Sequence, residues 1–256
     1  MKITIDTTDG TLTTTSDGNT VKHRLYSKES FELLSKQWVK VGWSLQYYLT
    51  FSWMGRPILQ LPEDLLRLQE VLFALRPEII IETGVYRGGS LMFLATICNT
   101  LGRGRVIGID INIPNDVELA IQEHLLSKKI ELIKGNSVDK SVLDQVAQKI
   151  SGAAPIVIIL DSNHSRQHVN DELTAYARFM TPGSYFVVTD GVMRDLSDVP
   201  GGNPDWIEDN PCSAIHDFLS VHPEFELVEP VKPFNEGEVR ETPTYWPKAW
   251  LRRKDQ

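Results

Sequence analysis

Cysteine is scarce in this chain. Its 256 residues hold only Cys98 and Cys212, too few for the disulfide framework that holds together small secreted domains. Long hydrophobic runs are missing as well. The longest unbroken aliphatic stretch is Ile156–Leu160, far short of the roughly 20 apolar residues that cross a bilayer, so no membrane span and no membrane partner is expected. Basic residues are in deficit, with 26 Lys and Arg against 34 Asp and Glu and a formal charge of −8. That balance argues against a diffuse electrostatic grip on nucleic acid or anionic lipid and favours a small-molecule partner. Internal repeats and low-complexity tracts are absent too. An acid, Asp6, stands where a secretory signal would begin its apolar core, and together with the two cysteines this leads us to expect a reducing, cytoplasmic setting.

The remaining composition, 41% hydrophobic, suits one α/β domain with additions. Residues 1–20 are rich in Thr, Asp and Gly and read as a loose arm or a short hairpin of undefined register, carrying no chemistry. Between 25 and 55 aromatics are dense, and Phe31, Leu34, Trp38 and Val41 recur at helical spacing. A helical extension over 1–60 is therefore expected, its aromatics serving core packing or a subunit contact. From 61 to 256 short β-rich runs (79–82, 105–110, 130–134, 156–161, 185–190) alternate with amphipathic stretches (89–101, 117–126, 140–150, 169–180). Parallel strands joined by helical crossovers give that alternation, and runs apolar at almost every position must be covered on both faces. The expected fold is a doubly wound, mostly parallel α/β sheet. Residues 191–211, rich in Gly, Pro, Asp and Asn, read as a long loop before a last helix near 212–222, which leads into 225–228 and then a tail.

In such sheets ligands bind beyond the carboxyl ends of the strands. The first run ends Glu82-Thr83-Gly84-Val85-Tyr86-Arg87-Gly88-Gly89-Ser90, an acid followed by a glycine turn into a helix. A dinucleotide site wants Gly-x-Gly-x-x-Gly and an acid about 20 residues later. Here Val85 and Tyr86 follow Gly84, the next strand-end acid, Asp110, lies 26 residues on, and Glu82 would repel a pyrophosphate. An acid in that place suits the cationic amino group and sulfonium of S-adenosylmethionine. Glu82 is then expected to hold the amino-acid end of the cofactor, with Gly84, Arg87, Gly88 and Ser90 shaping its pocket. Asp110 is expected to read the ribose, and Asn136 and Ser137 to border the adenine. The fourth and fifth runs end in Asp161 and Asp190, which should converge if the two strands are neighbours. Paired carboxylates there can hold a hard cation such as magnesium, and His164 beside them can take the proton of a substrate hydroxyl. The plainer alternative is that Asp161 caps the following helix while His164 packs. His168, one turn on, reads as a bystander.

Together the stretches 82–90, 108–110, 160–165 and 188–191 resemble the cephalosporin hydroxylase and rhamnosyl O-methyltransferase family of class I methyltransferases. The likeness spans about 25–253, including the approach Trp53-Met54-Gly55-Arg56-Pro57-Ile58. The resemblance implies a seven-stranded sheet, bound S-adenosylmethionine, often a divalent ion, a homo-oligomer, and sugars or natural products such as antibiotics as acceptors. Related macrolide sugar methyltransferases hold magnesium with an acid in the place of Asp161 and use a histidine matching His164 as base. Their further ligands are a Glu-Asp pair on the next strand, where this chain has Thr189 before Asp190. Three rivals stay open: a cofactor-binding component of a two-protein hydroxylase system, a nicotinamide-dependent oxidoreductase, and a structural or interaction role in which the strand-end acids only cap helices.

Overall fold

Strands that are apolar on both faces need cover on both faces, and the computed structural model of the chain, which describes residues 1–150, 152–237 and 239–255, meets that need in a specific order. An antiparallel sheet of β1 (Lys2–Asp6), β2 (Thr11–Ser16) and β3 (Asn19–Arg24) comes first. Helix α1 (Lys28–Ser44), the short pair β4 (Ser52–Trp53) and β5 (Arg56–Pro57), and α2 (Pro62–Leu75) follow. The alternating part runs β6 (Ile79–Thr83), α3 (Gly89–Thr100), β7 (Arg105–Asp110), α4 (Asn115–Gln122), β8 (Ile130–Lys134), α5 (Lys140–Lys149), β9 (Ile156–Leu160), α6 (Arg166–Ala177) and β10 (Tyr185–Val188). Helix α7 (Pro211–Val221), β11 (Phe225–Leu227) and β12 (Trp250–Arg253) complete it. No helix among the described residues is long and apolar enough to cross a membrane.

The main sheet has seven strands in the order β11-β12-β10-β9-β6-β7-β8. It is parallel from β10 to β8, and β12 alone runs antiparallel to both of its neighbours. Side chains alternate across it as strand geometry requires. Ile80, Val106, Val157, Ile159 and Val187 pack on one face with Leu68, Leu72, Leu91 and Leu94. Ile79, Ile81, Ile107, Ile109, Ile158 and Phe186 pack on the other with Val146, Leu173 and Phe218. The doubly wound expectation is met.

Three parts differ from the sequence reading. Of the two readings of the first twenty residues, the hairpin is the one found, extended by β3 into an ordered three-stranded sheet. Its second turn is Asp17-Gly18, both with positive φ (50° and 79°), the two-residue geometry that matches strand twist, and its buried anchor is Leu12. Helix α6 starts at Arg166, three residues earlier than periodicity indicates, because the Ser165 side chain accepts from the His168 N–H as the N-cap. Asp161 is therefore free of the capping role. The segment read as tail supplies β12, a four-residue strand with too little alternation to be recognised alone.

The C-terminal segment is also tied to α2. Buried Asp64 accepts hydrogen bonds from the Thr244 hydroxyl and, at 2.9 Å, from the Tyr245 N–H. Burial pushes its carboxyl up to about 7, against the opposing pull of these two donors. An acid whose folded-state pKa lies above its unfolded value binds the extra proton in the folded state, so its contribution weakens as pH rises through that interval, here from about 4 to 7. Asp64→Asn removes the charge and keeps an acceptor for the Tyr245 N–H, while the Thr244 hydroxyl can turn to accept from the new amide NH2. Its thermal midpoint relative to the parent should climb between pH 5 and pH 8, corresponding to roughly 2–3 kcal/mol in stability. A pH-independent difference in melting scans would show that Asp64 does not titrate in this interval.

Candidate active site

The order of strands reverses at β6: the chain moves outward through β7 and β8, then returns to place β9 and β10 on the other side. Ligand crevices in open parallel sheets form at that reversal. The two strand ends approach very closely there. The Asp161 N–H donates to the Thr83 carbonyl at 2.9 Å, and a Cβ built on Gly84 would lie 2.1 Å from the Asp161 carbonyl oxygen, at a φ of +92°. Only glycine fits.

A cavity of about 250 Å³ opens at this point. Its floor is the turn Gly84, Arg87, Gly88 and Ser90 with Asp161, His164 and Asp190, and its upper wall includes Trp43, Tyr48 and Tyr245. Ligating atoms of Asp161, His164 and Asp190 lie within 4.8 Å of one another, and His164 Nε2 is 3.4 Å from Asp190 Oδ2. The convergence expected of the two strand ends is present. Asp190 reaches the cluster through a left-handed backbone (φ 54°), a conformation that Asp tolerates better than most residues and that costs on the order of 1 kcal/mol. Desolvation raises the carboxyls of both Asp161 and Asp190, and for Asp161 the neighbouring Asp190 charge raises it further. Two mutually repelling oxygen donors beside an imidazole form a donor set that fits a hard divalent cation.

Thr189 brings no charge to the cluster. It is fully buried, and its hydroxyl lies 2.5 Å from Asp161 Oδ1, to which it donates, and 3.0 Å from the Leu160 carbonyl. The second Asp161 oxygen accepts from Gln60 Nε2 at 3.0 Å.

The remaining predicted residues are placed unevenly. Glu82, only 2% exposed, lies beneath the glycine turn and accepts from the Ser90 hydroxyl at 2.8 Å; burial and then the Asp161 charge push its carboxyl well above the usual range. A buried acid with one neutral donor suits a cationic ligand group. Asp110 Oδ2 accepts from the N–H groups of Val85 (2.8 Å) and Tyr86 (3.3 Å), and Oδ1 from Asn112 (2.9 Å). It clamps the glycine turn, and a carboxylate has about four acceptor positions in all. Asn136 caps its own turn through Val138 at 3.4 Å, while Ser137, largely buried, lies 3.4 Å from His168 Nε2 and accepts the Tyr176 hydroxyl on its carbonyl. Asp110, Asn136 and Ser137 stand outside the lining of the cavity. The Arg87 guanidinium lies over the Tyr86 ring and 3.8 Å from Asp116.

His168 lies outside both the cavity lining and the Asp161–His164–Asp190 cluster. Its Nε2 is 3.2 Å from the Ser162 hydroxyl and 3.4 Å from buried Glu172, and Glu172 raises its pKa, so it ties the ends of β8 and β9 together. Sequence reasoning gave no individual role to Trp43 and Tyr48 and missed Tyr245. Trp43 stacks edge-on against Tyr245 (centroids 5.6 Å) and Trp206 (5.9 Å), which brings α1, the loop before α7 and the C-terminal segment together over the site. The buried Tyr245 hydroxyl has no partner.

Residues 45–254 match the model of the family described as Rhamnosyl O-methyltransferase/CmcI. The chain belongs to that family. A rhamnosyl O-methyltransferase of Mycobacterium leprae is 32% identical over 143 residues, which cover 55% of this chain and 60% of that protein. One of Mycobacterium bovis is 28% identical over 185 residues, 69% and 71% of the two chains. Among solved structures, a CmcI structure with magnesium and S-adenosylmethionine aligns with a TM-score of 0.55 at 21% identity, covering 81% of this chain and 78% of the other. A CmcI apo structure aligns at 0.51 and 22%, covering 80% and 77%. At such identity the alignments establish the fold, the class I methyltransferase sheet anticipated from the sequence.

Proposed function

We propose that this protein is an S-adenosylmethionine-dependent O-methyltransferase acting on a hydroxyl of a small molecule, a sugar or a glycosylated or peptidic natural product. The observation that carries the reading is the meeting of Asp161, His164 and Asp190 at the strand-order reversal, opposite the glycine turn and under an aromatic wall. When bound, S-adenosylmethionine supplies an electrophilic methyl group, and magnesium would lower the pKa of a coordinated hydroxyl. Glu82 would hold the cofactor's amino group, Gly84, Arg87, Gly88 and Ser90 would shape its pocket, Asp110 would meet the ribose, and Asn136 and Ser137 would border the adenine. Asp161 and Asp190 would hold the cation. His164 takes the acceptor's proton at its free ring nitrogen, and the imidazolium so formed is stabilised by Asp190, 3.4 Å from Nε2. Trp43, Tyr48 and Tyr245 exclude water and orient the acceptor, and such positioning supplies much of the rate in a simple displacement.

In this reading 61–256 form the methyltransferase domain and 1–60 an extension whose aromatic end closes the site. Unpaired cysteines support a reducing cytoplasm, and the exposed Phe31 and Trp38 of α1 support a homo-oligomer. Calorimetric titration of metal-stripped protein with S-adenosylmethionine, then NADH, then each again with magnesium, tests the assignment. Binding of S-adenosylmethionine without a response to NADH is expected. Silence toward S-adenosylmethionine would overturn the cofactor assignment.

A further inference from the structure

We propose that Gln60 and Trp246 form a positioning relay that sets the Asp161 carboxylate for cation binding, an inference resting on the reading of Asp161 as a cation ligand. An indole N–H can only donate, and that of Trp246 donates to Gln60 Oε1 at 3.1 Å, both side chains being buried. This contact decides which end of the amide is which: the carbonyl faces Trp246, so the NH2 faces the site. It donates to Asp161 Oδ2 at 3.0 Å, while the Thr189 hydroxyl donates to Oδ1.

The carboxylate is thus gripped at each oxygen by a different element, one at the start of α2 and one at the end of β10. The terminal torsion of Asp is otherwise broad. Both grips are neutral donors, so they fix orientation without adding a positive charge that would compete with a cation. A set with two carboxylates, lacking a third acid at Thr189, depends on that orientation for its affinity. Trp246 belongs to the C-terminal segment and does not itself belong to the ligand cluster, so its effect on a cation must pass through Gln60. Gln60 and Trp246 are positioning residues.

The experiment is Mn2+ titration of the metal-stripped 256-residue chain, followed by the loss of the free-ion electron paramagnetic resonance signal, with melting scans on every variant. Gln60→Leu removes the donor and should weaken Mn2+ binding about tenfold, the loss expected for one hydrogen bond to a charged group. Trp246→Phe keeps the ring packing, frees the amide to flip, and should weaken binding about threefold. The double variant should bind no more weakly than Gln60→Leu alone, since the indole acts through an amide that is no longer there. Unchanged affinity in the single variants, or losses that simply multiply in the double, would overturn the relay. Should Gln60→Leu not fold, Trp246→Phe alone carries the test, and parental affinity in it overturns the relay. Failure of the parent protein itself to bind Mn2+ would instead overturn the cation reading, and the relay with it, an outcome visible before any variant is made.

Discussion

His164→Ala should lower turnover by about 10²–10⁴-fold, the usual contribution of a positioned general base, while S-adenosylmethionine affinity stays within about twofold of the parent. The split follows from placement. His164 stands on the loop after β9 with its Nε2 3.4 Å from Asp190, whereas the buried acid assigned to the cofactor's amino group lies under the glycine turn after β6. Truncation at His164 leaves the Ser165 cap of α6 in place, so the helix should remain. Single-turnover rates, read beside calorimetric cofactor affinity, check both halves. Turnover equal to the parent would remove His164 from the mechanism, and a large loss of Mn2+ affinity in the same variant would move it from base to ligand.

Glu82→Gln should act with opposite signs on two observables. Ionised Glu82 is costly because it is 2% exposed and has one neutral hydrogen-bond donor, Ser90. Glutamine is nearly isosteric, still accepts from Ser90 and carries no charge to desolvate, so the thermal midpoint should rise. The gain should grow above the ordinary carboxylate range, because the native carboxyl is raised by burial and by Asp161. Cofactor affinity should fall about 10–100-fold, since a charge-assisted hydrogen bond is worth about 1.5–3 kcal/mol. A residue that only packs would lower stability and affinity together. Melting scans and S-adenosylmethionine titration of one preparation decide the matter, and unchanged affinity would take Glu82 out of the cofactor site.

The strands that carry the site were legible because β6, β7, β9 and β10 are apolar on both faces, a pattern few other elements share. Their ends were legible because acids such as Glu82, Asp161 and Asp190 interrupt those runs where a crevice must form. What was not legible depends on contacts between distant parts of the chain. Gln60 and Trp246 are 186 residues apart, and neither has an unusual local pattern. Thr189 reads locally as a missing acid, and only the packed structure shows its hydroxyl donating to Asp161. Tyr245 carried no periodic signal because its segment is irregular until β12 begins. In the first twenty residues the Asp17-Gly18 turn was the available signal, and the weak apolar content of the flanking strands, with one fully buried residue, Leu12, obscured it.

Strand β12 is the last of the main sheet in chain order, yet it lies inside the sheet, between β10 and β11. During synthesis, β11 emerges with no neighbour to pair with and must wait for some twenty further residues before its edge is covered. The same late segment brings Tyr245 and Trp246 to the site and the partners of Asp64 to α2. Strands β6 to β10 pair with one another without this segment, but the aromatic wall and the amide facing Asp161 are complete only once Tyr245 and Trp246 are in place. A chain interrupted before Tyr245 would leave the edge of β10 open and the pocket half-built.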